Sequence, residues 1–154
     1  MNKKSQFYII TAVILLALTF GLSKPKIKYA SDRNFKELCE NYIKEAPFAA
    51  NTGNLNEFTQ KFVDYGKTKE PNFGLLYLEI RQDNITAFNL VKKTTYINEF
   101  KLSFNETLTT DRENQVIITL DKNQYIFNTS EYPKISVLIF SESENTTKVC
   151  IKNA

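Results

Sequence analysis

The sequence contains no histidine, and it contains only two cysteines and four glycines. Without histidine the chain cannot build a Ser-His-Asp or Cys-His nucleophilic site, a histidine-ligated zinc site, or the usual general base near neutral pH. Two cysteines exclude a four-thiolate metal site within one chain. The four glycines form neither a dinucleotide-binding fingerprint nor a phosphate-binding loop. We therefore expect no enzymatic activity, no cofactor and no metal.

Carboxylates occur in two close pairs, Asp111 with Glu113 and Glu142 with Glu144. Each pair stands beside an expected turn or strand end, where solvated charge is the usual explanation. The spacing that is typical of a calcium-binding loop is absent. Basic side chains number 20 against 17 acidic ones, without an arginine-rich stripe or a basic run interleaved with aromatic residues. Nucleic-acid binding is therefore not expected.

What the chain does contain is an uncharged apolar run from Phe7 to Leu22, preceded by Lys3 and Lys4. Its roughly 16 residues would extend about 24 Å as a helix. This is shorter than a full membrane span and longer than the core of a cleaved signal peptide. Lysine side chains beside the run can reach the headgroups, and the run has no polar face that a soluble helix would need. We therefore expect a membrane anchor at residues 7–23, in contact with lipid.

The short basic leader, followed by Ser5, Gln6 and the apolar run, resembles the class III signal peptides of archaeal type IV pilin-like proteins. In that family a membrane peptidase cuts before the apolar run, which implies cleavage here between Ser5 and Gln6 and a retained anchor. Two positions depart from the family's pattern. Ile10 stands where many pilins carry glutamate, and Pro25 interrupts the helix. The resemblance therefore implies membrane attachment more strongly than assembly into a filament.

Five segments make up the predicted domain organisation. A basic leader at 1–6 and the anchor at 7–23 precede a basic linker at 24–31, a helical segment at 32–71 and an antiparallel β domain at 72–154. The spacing of apolar residues changes from helical to alternating at the last boundary. The predicted fold class is thus α+β. An N-terminal transmembrane helix and two amphipathic helices precede a small antiparallel β-sandwich or curled sheet of about seven strands.

In the helical segment, apolar side chains recur at helical spacing in two stripes. The stripes are Phe35, Leu38, Cys39, Tyr42 and Ala46, then Leu55, Phe58, Phe62 and Tyr65. Ser31 or Asp32 can cap the first helix, and Pro47 is expected to kink or end it. Asn54 and Glu57 have the spacing of a capping box for the second helix. Both stripes are interpreted as faces packed in the core.

In the β domain, short runs of strand-forming residues alternate with turns. The expected strands are 75–81, 85–91, 100–104, 116–120, 125–127, 135–140 and 147–151. Turns at 82–84 and 121–123 predict two hairpins. Phe100, Leu102 and Phe104 alternate with polar residues, which is the pattern of a half-buried strand.

Cys39 and Cys150 lie in segments that we expect to be ordered. They could remain buried free thiols. A disulfide between them would close a loop of about 110 residues and would require an oxidising compartment.

Four N-x-[ST] sequons occur at expected turns or strand ends of the β domain. They begin at Asn84, Asn105, Asn128 and Asn145. Exposed loops on an exported face are the places where such sequons accept glycans. The four asparagines are therefore candidate glycosylation sites.

The orientation of the anchor has arguments on both sides. Basic residues after the anchor, at Lys24, Lys26 and Lys28, would place the C-terminal body in the cytoplasm. The family resemblance, the sequons and the cysteines favour the outside. We expect a single-pass protein of the cell membrane with its C-terminal domain outside. It would be a non-enzymatic cell-envelope or pilin-like component that acts through contacts with a protein partner or a second copy.

Two alternatives remain open. The first is a secreted or surface-anchored module that binds a carbohydrate or protein ligand. The second is a cytoplasm-facing accessory subunit that is tethered by the same helix.

Overall fold

The structure, a computed structural model, describes residues 33–130, 134–143 and 146–153. The predicted cleavage site at Ser5 and Gln6, the anchor at 7–23, the linker and Asn145 lie outside the described residues. No helix in the described part of the chain is long and apolar enough to cross a membrane.

Two helices and nine strands are found in the described residues. They are α1 (Arg33–Asn51), α2 (Leu55–Lys67), β1 (Gly74–Ile80), β2 (Asn84–Asn89), β3 (Thr95–Ile97), β4 (Phe100–Leu102), β5 (Glu106–Asp111), β6 (Gln115–Leu120), β7 (Asn123–Asn128), β8 (Lys134–Ser143) and β9 (Thr146–Asn153).

These elements form three layers: the helix pair, a five-stranded sheet and a four-stranded sheet. The five-stranded sheet has the order β5-β2-β1-β8-β9, and the four-stranded sheet has the order β4-β3-β6-β7. All strand pairs are antiparallel among the described strands. One core lies between the helices and the larger sheet, and a second lies between the two sheets. The predicted α+β class, the two helices and the antiparallel β-structure are confirmed, with more strands than the seven expected.

The central strands β1 and β8 are buried on both faces. In β1, Leu75 and Tyr77 point into the core beneath the helices, whereas Leu76 and Leu78 point into the core between the sheets. A strand with two buried faces needs apolar side chains at successive positions rather than at alternate ones. This is why β1 and β8 appear in the sequence as nearly continuous apolar runs.

Helix α1 does not end at Pro47 but continues for one more turn to Asn51. Ala49 in that last turn is buried in the core, and this packing offsets the backbone hydrogen bond that proline removes. The helix ends where the Asn54 amide donates to the Ala49 carbonyl oxygen at 2.9 Å. Gly53 lies between them with φ +73°, as in a Schellman cap.

The predicted capping box at the start of α2 does not form, because the Asn54 side chain makes no capping hydrogen bond. A capping box also needs the Glu57 carboxylate to accept from the Asn54 amide. That amide already donates to the Ala49 carbonyl of α1. Glu57 instead pairs with Lys61 one turn further on, and the hydrogen bond from Lys61 lowers the pKa of Glu57.

The buried face of α2 is rotated relative to the predicted stripe. Its buried residues are Leu55, Thr59, Val63 and Gly66. Phe58 and Phe62 are only half-buried against the core, and Tyr65 is 54% exposed. Gly66 explains the rotation, since the ring of Phe73 occupies the space that a side chain at this position would need. The helix therefore approaches the sheet through its small residues.

The strand predicted at 100–104 exists as β4, but it is shorter than predicted and only Leu102 of its three apolar residues is buried. Strand β4 ends at Leu102, and Phe100 and Phe104 are 56% and 41% exposed. The chain turns because the Ser103 amide donates to the Glu106 carboxylate at 2.8 Å. The turn leads into β5, an edge strand of mostly polar residues that the sequence analysis missed.

A buried ion pair fastens the connection between α2 and β1 to the end of the larger sheet. The carboxylate of Glu70 is 3% exposed, and Lys148 of β9 contacts it at 2.7 Å. Ser141 of β8 donates a second hydrogen bond to the same carboxylate oxygen at 3.2 Å. A buried carboxylate requires such partners, because removing it from water is otherwise costly.

Candidate functional site

The two cysteines are brought together by the fold. Cys39 of α1 and Cys150 of β9 form a disulfide, with Cα atoms 6.5 Å apart and 111 residues apart in the sequence. Both residues are buried in the core between the helices and the larger sheet. The disulfide therefore joins the helical layer to the edge strand of this sheet.

Three sequon asparagines lie in the described residues, and their environments differ. Asn105 is exposed in the turn between β4 and β5, with φ 63°. Asn128 is exposed at the end of β7, and its Oδ1 accepts a hydrogen bond from the Ser130 amide at 2.9 Å. Asn84 begins β2 and is half-buried, and its Oδ1 is buried without a hydrogen-bond partner among the described residues. These environments make Asn105 and Asn128 better glycan acceptors than Asn84.

The predicted carboxylate pairs belong to no cluster that could hold a metal ion within the described residues. Glu113 accepts a hydrogen bond from the Asn98 side-chain amide at 3.0 Å. Glu142 pairs with Lys93 at 2.8 Å, and Asp111 is exposed on β5. Where they are described, these carboxylates are thus solvated or paired with a neighbouring donor.

The four-stranded sheet has an outer face that the described residues leave exposed, and we call it the open face. Ile117 and Ile126 lie directly opposite each other on β6 and β7, and they are 36% and 63% exposed. Side chains at such paired positions point to the same face of a sheet. The rows around them extend across all four strands. The open face consists of Tyr96, Lys101, Gln115, Ile117, Thr119, Gln124, Ile126 and Asn128.

A polar groove of about 400 Å³ lies on the other side of the molecule, where the helix pair leaves part of the larger sheet uncovered. Its wall is the turn between the helices, from Ala50 to Asn56. Its floor is the face of β1, β2 and β5. The floor residues are Tyr77, Glu79, Arg81, Asn84, Thr86 and Thr109.

A hydrogen bond joins the floor of the groove to its wall, and an ion pair on the floor leaves the groove without net charge. The Tyr77 hydroxyl donates to Oδ1 of Asn56. Burial raises the pKa of Tyr77 well above its usual range, and the negative charge of Glu79 adds to this, so the phenol stays neutral. Arg81 donates two hydrogen bonds to the Glu79 carboxylate at 3.1 and 2.9 Å. The carboxylate and the guanidinium of the groove therefore neutralise each other.

The centre of the floor is uncharged and rich in hydrogen-bonding groups. The hydroxyls of Thr86 and Thr109 lie 3.2 Å apart and share one hydrogen bond, which leaves each with further capacity to donate or accept. Asn84 lies beside them on β2. Together these side chains can bind an uncharged polar molecule, and they include no nucleophile with an adjacent base.

Local patterns in the sequence did not predict this groove. Its residues come from the turn near 50–56, from both strands of the first hairpin, and from β5, which was not predicted. One signal was present, since Glu79 and Arg81 interrupt the apolar run of β1 on the same face. Polar residues at alternate positions of a strand that is otherwise buried mark the place where its face becomes solvated.

No protein-family model, curated protein or solved structure matches this chain. The role of each surface is therefore inferred from its geometry and chemistry.

Proposed function

We propose that this chain is a non-enzymatic, single-pass membrane protein whose α+β domain is exported and acts through protein–protein contacts at the cell envelope. The open face is the contact surface in this proposal. The observation that carries it is the exposed pair of Ile117 and Ile126 on the neighbouring strands β6 and β7, of which β7 is an edge strand of the smaller sheet.

An exposed aliphatic pair has a physical cost in the free domain that a partner would remove. Burying one large aliphatic side chain contributes about 1.5–3 kcal/mol. Thr119 and Gln124 form the next row on one side of the pair, and Gln115 and Asn128 form the next row on the other side. An apolar centre with a polar rim is the usual composition of a protein interface.

The exported orientation is supported by the disulfide between Cys39 and Cys150, because such bonds persist in oxidising compartments. The exposed sequon asparagine Asn105, which lies outside the open face, is consistent with the same side of the membrane. The anchor proposed at 7–23 would attach the domain to the lipid bilayer. The leader's resemblance to class III signal peptides supports pilin-like processing.

Serine substitutions on the open face test the contact. The protein would be extracted from its native membrane in a mild detergent, and the size of its complexes would be measured by light scattering. Ile117→Ser and Ile126→Ser should each reduce the fraction in the larger species. The control is Ile151→Ser, which changes an exposed isoleucine of the other sheet. If the fraction of protein in the larger species is the same in all three variants and in the wild type, the proposed contact surface is contradicted.

Topology is tested separately by adding protease to intact cells. The exported domain should be digested, whereas the cytoplasm-facing alternative predicts that residues 33–153 stay protected until the membrane is opened. The intact mass of the protein then distinguishes the remaining cases. Cleavage after Ser5 supports pilin-like processing, full length supports a plain anchor, and loss of the whole apolar run would mean that the protein is secreted.

A further inference from the structure

The polar groove has the volume of a small-molecule site. Its volume of about 400 Å³ lies within the range of about 300–1,000 Å³ that small-molecule sites occupy. The floor is held by paired strands, and the Tyr77 hydrogen bond to Asn56 fixes the floor to the wall. A site built on a sheet and fastened at its rim needs little reorganisation on binding.

The charges of the groove select against an ionic ligand. Glu79 and Arg81 are the ionised side chains among the groove-lining residues, and each already pairs with the other. An anion near Arg81 would be repelled by the adjacent Glu79 carboxylate, and a cation near Glu79 would be repelled by the adjacent Arg81 guanidinium. A neutral ligand leaves this pair intact.

The remaining groups favour a ligand whose own groups both donate and accept hydrogen bonds. Thr86 and Thr109 offer hydroxyls that, within residues 33–130, 134–143 and 146–153, are bonded only to each other. The Asn84 carboxamide carries a donor and an acceptor, and its Oδ1 is buried without a partner in the described part of the chain, so it would accept a hydrogen bond from a ligand after the side chain turns toward the groove. Sugar hydroxyls match such a set. An extended peptide that bound by strand addition would use the outer edge of β5 and not the side chains on the face of the sheet that form the floor.

We propose that the polar groove binds a neutral saccharide unit through Asn84, Thr86 and Thr109. The groove and the open face lie on opposite sides of the three-layer stack and share no residue. The proposal therefore does not depend on the protein contact proposed above. It also assigns Asn84 to ligand binding and leaves Asn105 as the exposed sequon asparagine that lies outside both the groove and the open face.

Titration of the full-length protein with simple sugars tests this assignment. The protein would be made in a host without N-glycosylation. It would be kept in a detergent whose headgroup is not a sugar, because a sugar headgroup would compete for the groove. Glucose, galactose, mannose and N-acetylglucosamine would be added at millimolar concentrations, and binding would be followed by saturation-transfer NMR. We expect saturation transfer from the protein to at least one of these sugars.

Two threonine variants on the same strand provide the matched comparison. Thr109→Val removes a hydroxyl from the groove, and the dissociation constant should rise about tenfold, as expected for one lost hydrogen bond. Thr107→Val makes the same change two residues away on β5, outside the groove, and should change the constant less than about twofold. Asn84→Ala should weaken binding at least as much as Thr109→Val. Unfolding midpoints in urea would show that each variant is folded.

Three results would overturn the proposal. One is the absence of transfer to any of the four sugars. Another is equal weakening by Thr109→Val and Thr107→Val. The third is a glycan on Asn84 in the protein from its native membrane, because the attached sugar would itself occupy the groove. Retention of sugar binding in Ile126→Ser would show that the groove and the open face act independently.

Discussion

Reduction of the disulfide should destabilise the domain strongly, because Cys39 and Cys150 are 111 residues apart in the sequence. In the unfolded chain the bond removes the conformational freedom of this long loop. The chain-entropy model assigns about 4.7 kcal/mol to a loop near 100 residues, and measured values are commonly about 2–4 kcal/mol. Domains of this kind have a total stability of about 5–15 kcal/mol. Reduction should therefore remove a large part of the stability and leave the secondary structure in place.

The assay is urea unfolding of the full-length protein in detergent, followed by far-ultraviolet circular dichroism, with and without a phosphine reductant. The free energy of unfolding should fall by about 2–5 kcal/mol on reduction. The slope of the free energy of unfolding against urea concentration should become steeper, because the reduced unfolded chain exposes more surface. A Cys39→Ala, Cys150→Ala double variant is the control and should not respond to the reductant. A shift below about 1 kcal/mol in the wild type would refute the assignment of a stabilising long-range disulfide.

Further predictions concern the core and can be checked by the same urea titration. Lys148→Met should cost about 3–5 kcal/mol, because it leaves the Glu70 carboxylate buried without its cationic partner, and adding Glu70→Gln should restore part of the loss. Gly66→Ala should cost about 1–3 kcal/mol, since its methyl group would meet the Phe73 ring; an unchanged midpoint would contradict this packing. Burial raises the pKa of Tyr42. Above pH about 10 an unfolded tyrosine loses its proton while Tyr42 keeps it, so stability should fall as pH rises, and less steeply in Tyr42→Phe.

Local pattern was sufficient to predict the hairpins. The turns at 82–84 and 121–123 do join β1 to β2 and β6 to β7 in antiparallel pairs. In both cases turn-forming residues separate two runs of strand formers, and the two strands are neighbours in sequence. The first stripe of apolar residues was predicted equally well, because α1 buries each of its members.

Interactions between distant segments could not be predicted in this way. The buried face of α2 depends on Phe73, which lies beyond the helix and packs against Gly66. Its capping box was lost because the Asn54 amide is used by the preceding helix. Strand β5 has few apolar side chains, since its place at a sheet edge demands little burial. In each case the deciding partner belongs to another element.

The same distinction applies to the candidate sites. Cys39 and Cys150 were visible as residue types, but their pairing depends on α1 lying across β9. The sequons were visible as a motif, but the motif does not show that Asn84 lies on the floor of a groove while Asn128 lies on an exposed face. The groove required β5 in order to bring Thr109 beside Thr86, and β5 was the strand that the sequence least suggested.

The three-layer arrangement gives the molecule two different outer surfaces. The open face belongs to the smaller sheet and exposes aliphatic side chains, whereas the groove belongs to the larger sheet and exposes hydroxyls and a carboxamide. Between them lies the core of the two sheets, which includes Leu78 and Ile118. Close-packed cores resist rearrangement, so a ligand in the groove and a partner on the open face need not compete. The proposed saccharide site and the proposed protein contact surface could therefore be occupied at the same time.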